Sequence, residues 1–522
     1  PENGEETYSS VVTQSALRYH LYSTAKAGDS CVLLDISNAY LHATLEGLEF
    51  VLLPVEWRNQ TESGVRRLLK ALYGRRKSGR DWQKLLNEFL VENGWERCDA
   101  SQGTYRKKVS EGVYLKLSVY VDDCVLSGLT LDLCMEEAQI ILDRFAGNMI
   151  EPFVHADGTI TWDVLGASVN YNREERRMLI NLPVYIEKLA QKHDSMWVKD
   201  FNAEEAKGVD SPSFMEKDLQ TGELDRTMSF DIRGCVGGLI WVATVCRPDV
   251  AVAVSCLSKY LSKLRTKSYI TAIRKVLRYL YSTKERGVGY SPAQEKEFEE
   301  TYTHLLSDEF TSLPKVNAFG DAAFANCFVT LNSSSGGMIF WNGAQVAWKF
   351  KVQTLRTYST AESEYVASSD LIVLSATTDF LGFFENENLI LETNEDSGSS
   401  PPRRVLWTDN QSALATAKST DLRPKSRHYA LRWCKVRDFS RAICYCPTEK
   451  MRADTLTKLG CSAKIREMVL LHCIIPIEVE KSVKINNTCG RPDKDIGPIV
   501  DIVVCGHVFV NGEYLGQGRL KQ

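Results

Sequence analysis

Apolar and polar positions alternate through Val113-Tyr114-Leu115-Lys116-Leu117-Ser118-Val119, break at Tyr120-Val121-Asp122-Asp123, and give way to a second apolar run, Cys124-Val125-Leu126. A period of two predicts a half-buried strand, a turn at the acidic pair and a returning strand. Cys31-Val32-Leu33-Leu34 predicts another strand, ended by Asp35 and followed by Ile36-Ser37-Asn38-Ala39-Tyr40-Leu41. Arg80 to Leu90 reads as helix after the turn-like Tyr73-Gly74 and Ser78-Gly79. Trp162 to Ala167 reads as a strand, Tyr185 to Leu189 opens a helix, and residues 230 to 285 are helix-rich, with Leu277 and Leu280 on one amphipathic face. Ser291 to Leu313 is polar and charged, which predicts a linker, and Val316 to Asp321 begins a new unit with a strand. Glu392 to Arg404 reads as flexible on composition, with Ser-Gly-Ser-Ser-Pro-Pro inside it.

A chain of 522 residues has room for two to four domains. Apolar and charged fractions of 44% and 25% are ordinary for a globular protein. The formal charge of −4 gives no whole-chain signature of nucleic-acid binding, so any such role must be local. Eight basic residues crowd the stretch from Arg66 to Lys84 with Asp81 as its sole acid, and a second basic stretch runs from Arg403 to Arg437. Such patches neutralise phosphates, and they also occur as solvated helix faces. The 15 cysteines show no Cys-x-x-Cys pair, which predicts reduced, buried thiols in an intracellular protein without structural zinc. No apolar run is long enough to span a bilayer, and the start carries no secretory pattern.

Adjacent carboxylates repel and raise each other's pKa, a cost that a divalent cation relieves and that solvation of a plain Asp-Asp turn also reduces. Asp35 is a second carboxylate at a predicted strand end. With these residues in view, the chain resembles the Pol polyprotein of Copia-type (Ty1/Copia) LTR retrotransposons. Asp35 to Tyr40, Leu72-Tyr73-Gly74 with Ser78, Arg80 and Trp82, and Tyr120 to Asp123 resemble its reverse transcriptase blocks. Arg247-Pro248-Asp249-Val250 and Ala272 to Leu280 resemble its connecting segment. Ser359 to Tyr365, Thr408 to Ser412 and Ala453 to Lys458 resemble its ribonuclease H. The match covers roughly residues 5 to 460.

The resemblance implies an α/β (α+β) multidomain fold: a right-hand polymerase of fingers, palm and thumb, then a connection and an RNase H-like mixed α/β domain. The expected division is 1–200 for truncated fingers, palm and the start of the thumb, 201–290 for thumb and connection helices, 291–315 for a linker, 316–460 for the RNase H-like domain, and 461–522 for a tail of unknown role. The loop at 392–404 then lies inside the nuclease domain. The chain begins with Pro1 and enters the resemblance late, at Tyr8 to Val12, so part of the fingers is expected to precede it.

The implied chemistry is RNA- and DNA-templated DNA synthesis with cleavage of RNA in RNA–DNA hybrids. Each active site is expected to hold two Mg²⁺ (or Mn²⁺) ions on hard oxygen ligands. Asp35, Asp122 and Asp123 are the ligands expected for the polymerase, and Asp321, Glu364, Asp409 and Asp454 for the nuclease. Glu364 is preferred over Glu362 because it precedes Tyr-x-Ala. Tyr40 is expected to exclude a ribose 2′-hydroxyl, Lys77 and Arg80 to contact the incoming nucleotide, and Arg75, Arg76 and His428 to contact nucleic acid. Lys77 stands where the family has a glutamine, Gly79 replaces a proline and is expected to loosen the turn, and Ala430 breaks the family's His-x-Asp pattern after His428. Expected partners are an RNA template, a DNA primer, the hybrid and dNTPs, with no membrane, and an integrase and protease from the same polyprotein. Expected locations are cytoplasmic virus-like particles and, further, the nucleus. The alternatives are a nuclease with an impaired polymerase and a non-catalytic nucleic-acid-binding remnant.

Overall fold

The alternating run folds into the strand Val113–Tyr120, which turns at Val121-Asp122 and returns as Asp123–Gly128. These two strands and Ser30–Ile36 form the middle of an antiparallel six-stranded sheet. Its edges are Glu96–Arg97 with Thr104–Ser110 on one side and Gly147–Ile150 on the other. The computed structural model describes residues 9, 11–60, 64–220, 223–226, 229–262, 265–327, 330–387, 389, 391–419 and 430–470, and the strand backbones at 500–504, 507–510 and 513–517.

The first sheet is covered on both faces, so the polar positions of the alternation are buried as well. Helices Ser78–Glu92 and Leu131–Arg144 supply Trp82, Leu86, Leu90, Cys134, Ala138 and Ile141 to the apolar side. The other side meets the helix Gln14–Ala27, and here Lys116 and Ser118 are 6% and 1% exposed. Burial is affordable because each polar group has a partner. Lys116 donates to Asp29 at 2.8 Å, and the two ring nitrogens of His20 lie 2.8 Å from the hydroxyls of Ser118 and Ser127. Thr13 caps this helix, accepting a hydrogen bond from the Ala16 N–H, and Gly28 closes it in a left-handed conformation.

A second antiparallel sheet runs in the order Val288–Tyr290, Arg177–Asn181, Ala167–Asn172, Ile160–Val164, Phe153–Val154. The expected strand from Trp162 to Ala167 is broken at Leu165-Gly166, both at positive φ, so it is a hairpin. Helices Pro183–Asn202, Ile232–Val245, Ala251–Ser258 and Lys267–Ser282 pack nearby. Among them Arg247 and Asp249 form a fully buried ion pair at 2.8 Å, to which the Tyr279 hydroxyl donates at 2.6 Å.

The third sheet has the order Ala344–Val352, Ser334–Trp341, Val316–Ala323, Arg404–Thr408, Ile443–Tyr445; the first three strands are antiparallel and the last two join in parallel. Helix Thr360–Ala376 crosses it, and the 392–404 stretch connects two elements of this same unit. The expected linker at 291–315 is replaced in part by a helix, Pro292–Tyr302, that buries Phe298 and Tyr302 against Phe319, Phe340 and Trp407. Near the C-terminus, Val500–Val504, His507–Val510 and Glu513–Gln517 form a three-stranded sheet.

The helix Gln14–Ala27 also reaches the third sheet, and every residue from Ala16 to Ala25 is buried. Arg18 donates to the carbonyls of Val245 and Val346, each at 3.1 Å, and lies 3.8 Å from the Trp348 ring centre. Tyr19 stacks on Phe384, and Tyr22 accepts a hydrogen bond from Asn342 at 2.7 Å. No helix among the described residues is long and apolar enough to cross a membrane.

Candidate active sites

The first cluster is set by strand register. Asp35 lies directly across from Asp123, and Tyr120 pairs with Asp123 on the other side, leaving Val121 and Asp122 as a two-residue turn. Val121 has φ +61°, a left-handed conformation that a β-branched residue adopts only at a cost. Two hydrogen bonds hold it. The Trp82 indole N–H donates to the Val121 carbonyl at 2.7 Å, and the Ile36 N–H donates to the Asp122 carbonyl at 3.0 Å. Trp82 is itself buried, with its ring 5.0 Å from that of Phe145. The blocks around Asp35, Trp82 and Asp122 therefore converge on one turn.

Burial raises the Asp122 carboxyl above its ordinary range, and Asp35 adds to the rise. Asp123 is pushed up to about 6, by burial first and then by Asp122, Asp35 and Asp163. Tyr40, on the short helix Ala39–His42, packs its ring 4.6 Å from Tyr73. Burial and the Asp122 carboxylate raise both phenols.

The basic stretch is partly committed within the protein. Arg75, expected on nucleic acid, makes two 2.5 Å hydrogen bonds to Glu49 and one to Asp81, so its guanidinium is neutralised internally. Arg76 and Arg80 are exposed, and half-buried Lys77 precedes the helix Ser78–Glu92. The turn expected to be loosened by Gly79 is latched. The Ser78 hydroxyl donates to the Leu72 carbonyl at 2.6 Å and accepts from the Leu72 N–H at 3.2 Å. Gly79 lies inside the helix, where a Cβ would approach Ser9 to 3.0 Å.

The second cluster gathers four distant stretches. Asp321 sits on its strand opposite Gly336, Glu364 in the first turns of helix Thr360–Ala376, Asp409 just past the strand Arg404–Thr408, and Asp454 at the start of helix Asp454–Thr457. A Cβ at Gly336 would lie 2.8 Å from Leu456 and Thr457, so the glycine lets the Asp454 helix approach the sheet. Asp321, Glu364 and Asp409 each offer an oxygen within 4.8 Å of the other two; among the described residues this is the only carboxylate or thiol group so gathered. The Asp35 triad is more open. Asp454 stands beside the trio, joined to it through Lys458.

Electrostatically, burial holds the carboxyls of this cluster toward their protonated form, a bias that a bound cation would reverse. Burial raises Glu364, with Asp321 and Asp409 adding to it, and burial also raises Asp321 and Asp454. The Glu364 Oε2 atom is buried and has no hydrogen-bond partner, an orphaned ligand atom aimed at hard-cation chemistry. Asp321 accepts from the Thr457 hydroxyl, and Asp409 from that of Thr448 at 3.0 Å. Glu362, the rival of Glu364, accepts a hydrogen bond from the Tyr358 N–H at 2.9 Å and so belongs to the helix start. These oxygen donors fit Mg²⁺ or Mn²⁺. His428 lies outside the described residues. Lys458 and Thr457 were not singled out from sequence, although Lys458 stands four residues after Asp454, where a helix brings side chains together.

Residues 2–196 match the family model for reverse transcriptase (RNA-dependent DNA polymerase). The Retrovirus-related Pol polyprotein from transposon TNT 1-94 of Nicotiana tabacum is 23% identical over 487 residues, 90% of this chain and 33% of that protein. The corresponding polyprotein from transposon RE2 of Arabidopsis thaliana is 24% identical, over 87% of this chain and 28% of its own. The Transposon Ty1-NL2 Gag-Pol polyprotein of Saccharomyces cerevisiae is 21% identical, over 81% and 23%. The chain thus spans about a third or less of the length of these relatives. The resemblance to Ty1/Copia-type Pol polyproteins stands on both comparisons. Among solved structures, the foamy viral protease-reverse transcriptase in complex with dsDNA aligns with 81% of this chain and 68% of that one, at 10% identity and a TM-score of 0.18.

Proposed function

We propose that this relative of transposon Pol polyproteins is a reverse transcriptase coupled to a ribonuclease H: it copies RNA or DNA into DNA and cuts the RNA of an RNA–DNA hybrid. In this reading the first sheet is the palm, the hairpin Thr44–Leu52 with Val65–Lys70 belongs to the fingers, and the third sheet is the RNase H-like domain. The observation that carries it is the placement of Asp35 against Asp123, beside the Val121-Asp122 turn, within the stretch that matches the reverse transcriptase family.

Asp35, Asp122 and Asp123 would hold the metal ions of the polymerase, and Asp321, Glu364, Asp409 and Asp454 those of the nuclease. When bound, such ions stabilise the attacking and leaving oxygens of a phosphoryl displacement. The chain's own residues supply position. Trp82 and Ile36 fix the turn that carries Asp122. Tyr40, backed by Tyr73 and next to Asp122, crowds the space where a sugar 2′-hydroxyl would lie. Arg76, Arg80 and Lys77 line the approach with positive charge for a triphosphate. In the nuclease, Thr448 and Thr457 orient Asp409 and Asp321.

A nuclease with an impaired polymerase is the second reading, favoured by the internal neutralisation of Arg75 and the open Asp35 triad. The experiment follows primer extension on a labelled RNA template and cleavage of that template in one tube with Mg²⁺. The wild-type chain is expected to do both, Asp122→Asn to lose extension and keep cleavage, and Asp409→Asn the reverse. Cleavage without extension in the wild-type chain selects the second reading. Loss of both activities in either variant overturns the assignment of two separate sites.

A further inference from the structure

Four carboxylates face the nuclease cluster, and one ammonium is already among them. Lys458 Nζ donates to Asp454 Oδ1 at 2.6 Å and lies 4.0 Å from Asp321 Oδ1. The pairing with Asp454 is the ordinary i,i+4 contact of a helix. The approach to Asp321 is not, because Asp321 lies on another element and is 1% exposed. The other oxygen of Asp321, Oδ2, accepts from the Thr457 hydroxyl. Lys458 therefore divides the cluster. On one side Asp321, Glu364 and Asp409 offer three oxygens within 4.8 Å of one another, with Glu364 Oε2 unpartnered. On the other side Asp454 is occupied by the ammonium.

We propose that Lys458 is a tethered cation standing where a second divalent ion would share Asp321 and Asp454, so that the nuclease takes up its first ion readily and its second only by displacing Lys458. This rests on the reading of the cluster as a metal centre. Lysine suits the task. Its ammonium is a compact point charge on a flexible stem, and 40% of the side chain is exposed, so it can swing from Asp454 into water. A planar guanidinium, whose fork of donors can hold two carboxylates at once, would not leave as easily. Lys458 thus makes nuclease loading graded with divalent-ion concentration and lowers repulsion among the carboxylates before loading.

The test is Mn²⁺ binding by titration calorimetry on the full chain carrying Asp122→Asn, which weakens the other triad. The expected isotherm has a tighter component, which Asp409→Asn reduces, and a weaker one. Lys458→Met should tighten the weaker component by on the order of tenfold and lower the melting temperature of the metal-free protein. Lys458→Arg, which keeps the charge, should leave the weaker component weak and serves as the folding control. An unchanged or weakened second component in a folded Lys458→Met variant overturns the proposal. So does a loss of hybrid binding in Ca²⁺ with unchanged Mn²⁺ affinities, which would make Lys458 a phosphate contact. A wild-type isotherm that Asp409→Asn leaves untouched refutes the metal centre itself.

Discussion

Replacing Trp82 with Phe removes one hydrogen bond from the turn that carries Asp122, and the structure allows its effect to be sized. Val121 at φ +61° holds roughly 1–2 kcal/mol of backbone strain. Against this stand the indole N–H to Val121 and the Ile36 N–H to Asp122, each contributing about 1 kcal/mol net. Without the indole donor, the Val121 carbonyl loses its partner at a cost of about 1–3 kcal/mol, and the smaller ring at a 2%-exposed site adds about 1 kcal/mol. One bond then opposes strain of similar size, so the turn relaxes in a large share of molecules. Since about 1.4 kcal/mol is a factor of ten, extension should slow by roughly tenfold or more, chiefly in kcat. Glycine adopts positive φ without strain, so Val121→Gly in the same chain should restore much of the lost rate. Single-turnover extension and denaturant unfolding of both single variants and the double variant measure this coupling. A folded Trp82→Phe enzyme that extends at the wild-type rate, or strictly additive effects in the double variant, would refute the argument.

Tyr40→Ala should lower discrimination against ribonucleotides by about tenfold to a hundredfold, read as the ratio of kcat/KM for matched deoxy- and ribonucleotides; an unchanged ratio in an active enzyme returns Tyr40 to a packing role. Arg247→Met leaves Asp249 buried without its partner and should cost about 3–5 kcal/mol of stability in urea unfolding. The raised carboxyls give a pH dependence whose sign is fixed. Asp123, at about 6 in the fold, binds a proton more tightly there than in the unfolded chain, and Asp321 and Glu364 shift the same way. Their stabilising contribution is complete below the unfolded carboxylate range and fades as pH rises through 6 and above. Metal-free melting temperatures should therefore fall between pH 4.5 and pH 8, and Mg²⁺ should restore them at the upper end.

The carriers of Asp35, Asp122 and Asp123 were legible as strands, from the alternation up to Val119 and the apolar run before Asp35, whereas Asp321, Glu364, Asp409 and Asp454 were expected only through the resemblance, two of them on helices. Convergence of Asp454 with Asp321 was a different matter, since it depends on Gly336 leaving room for a helix that is distant in sequence. The alternating pattern placed Lys116 and Ser118 on one face without revealing that His20 and Asp29 would cover them. A period of two reports sidedness, not what lies opposite. The linker expected at 291–315 failed because Phe298 and Tyr302 are a thin apolar signal in a charged stretch, although Ser291 before Pro292 is a helix start and caps the Gln294 N–H. Arg75 shows the limit of reading charge by sequence neighbourhood: Glu49, which neutralises it, lies 26 residues away.

The burial of Ala16 to Ala25 on all sides of its helix sets an order of events during synthesis. Arg18 finds the Val346 carbonyl 328 residues further along, so at about 5–20 residues per second its binding place is made roughly 15–65 s after the helix has left the ribosome. A helix of 14 residues is marginal by itself in water, and this one carries Leu17, Tyr19, Leu21 and Tyr22. The first sheet covers the face that carries His20 early, but the face of Arg18 and Tyr19 waits for Val346 and Phe384 and until then stays open, a natural client for a chaperone. A chain interrupted before the third sheet is finished keeps the Arg18 and Tyr19 face uncovered, however complete its first sheet is.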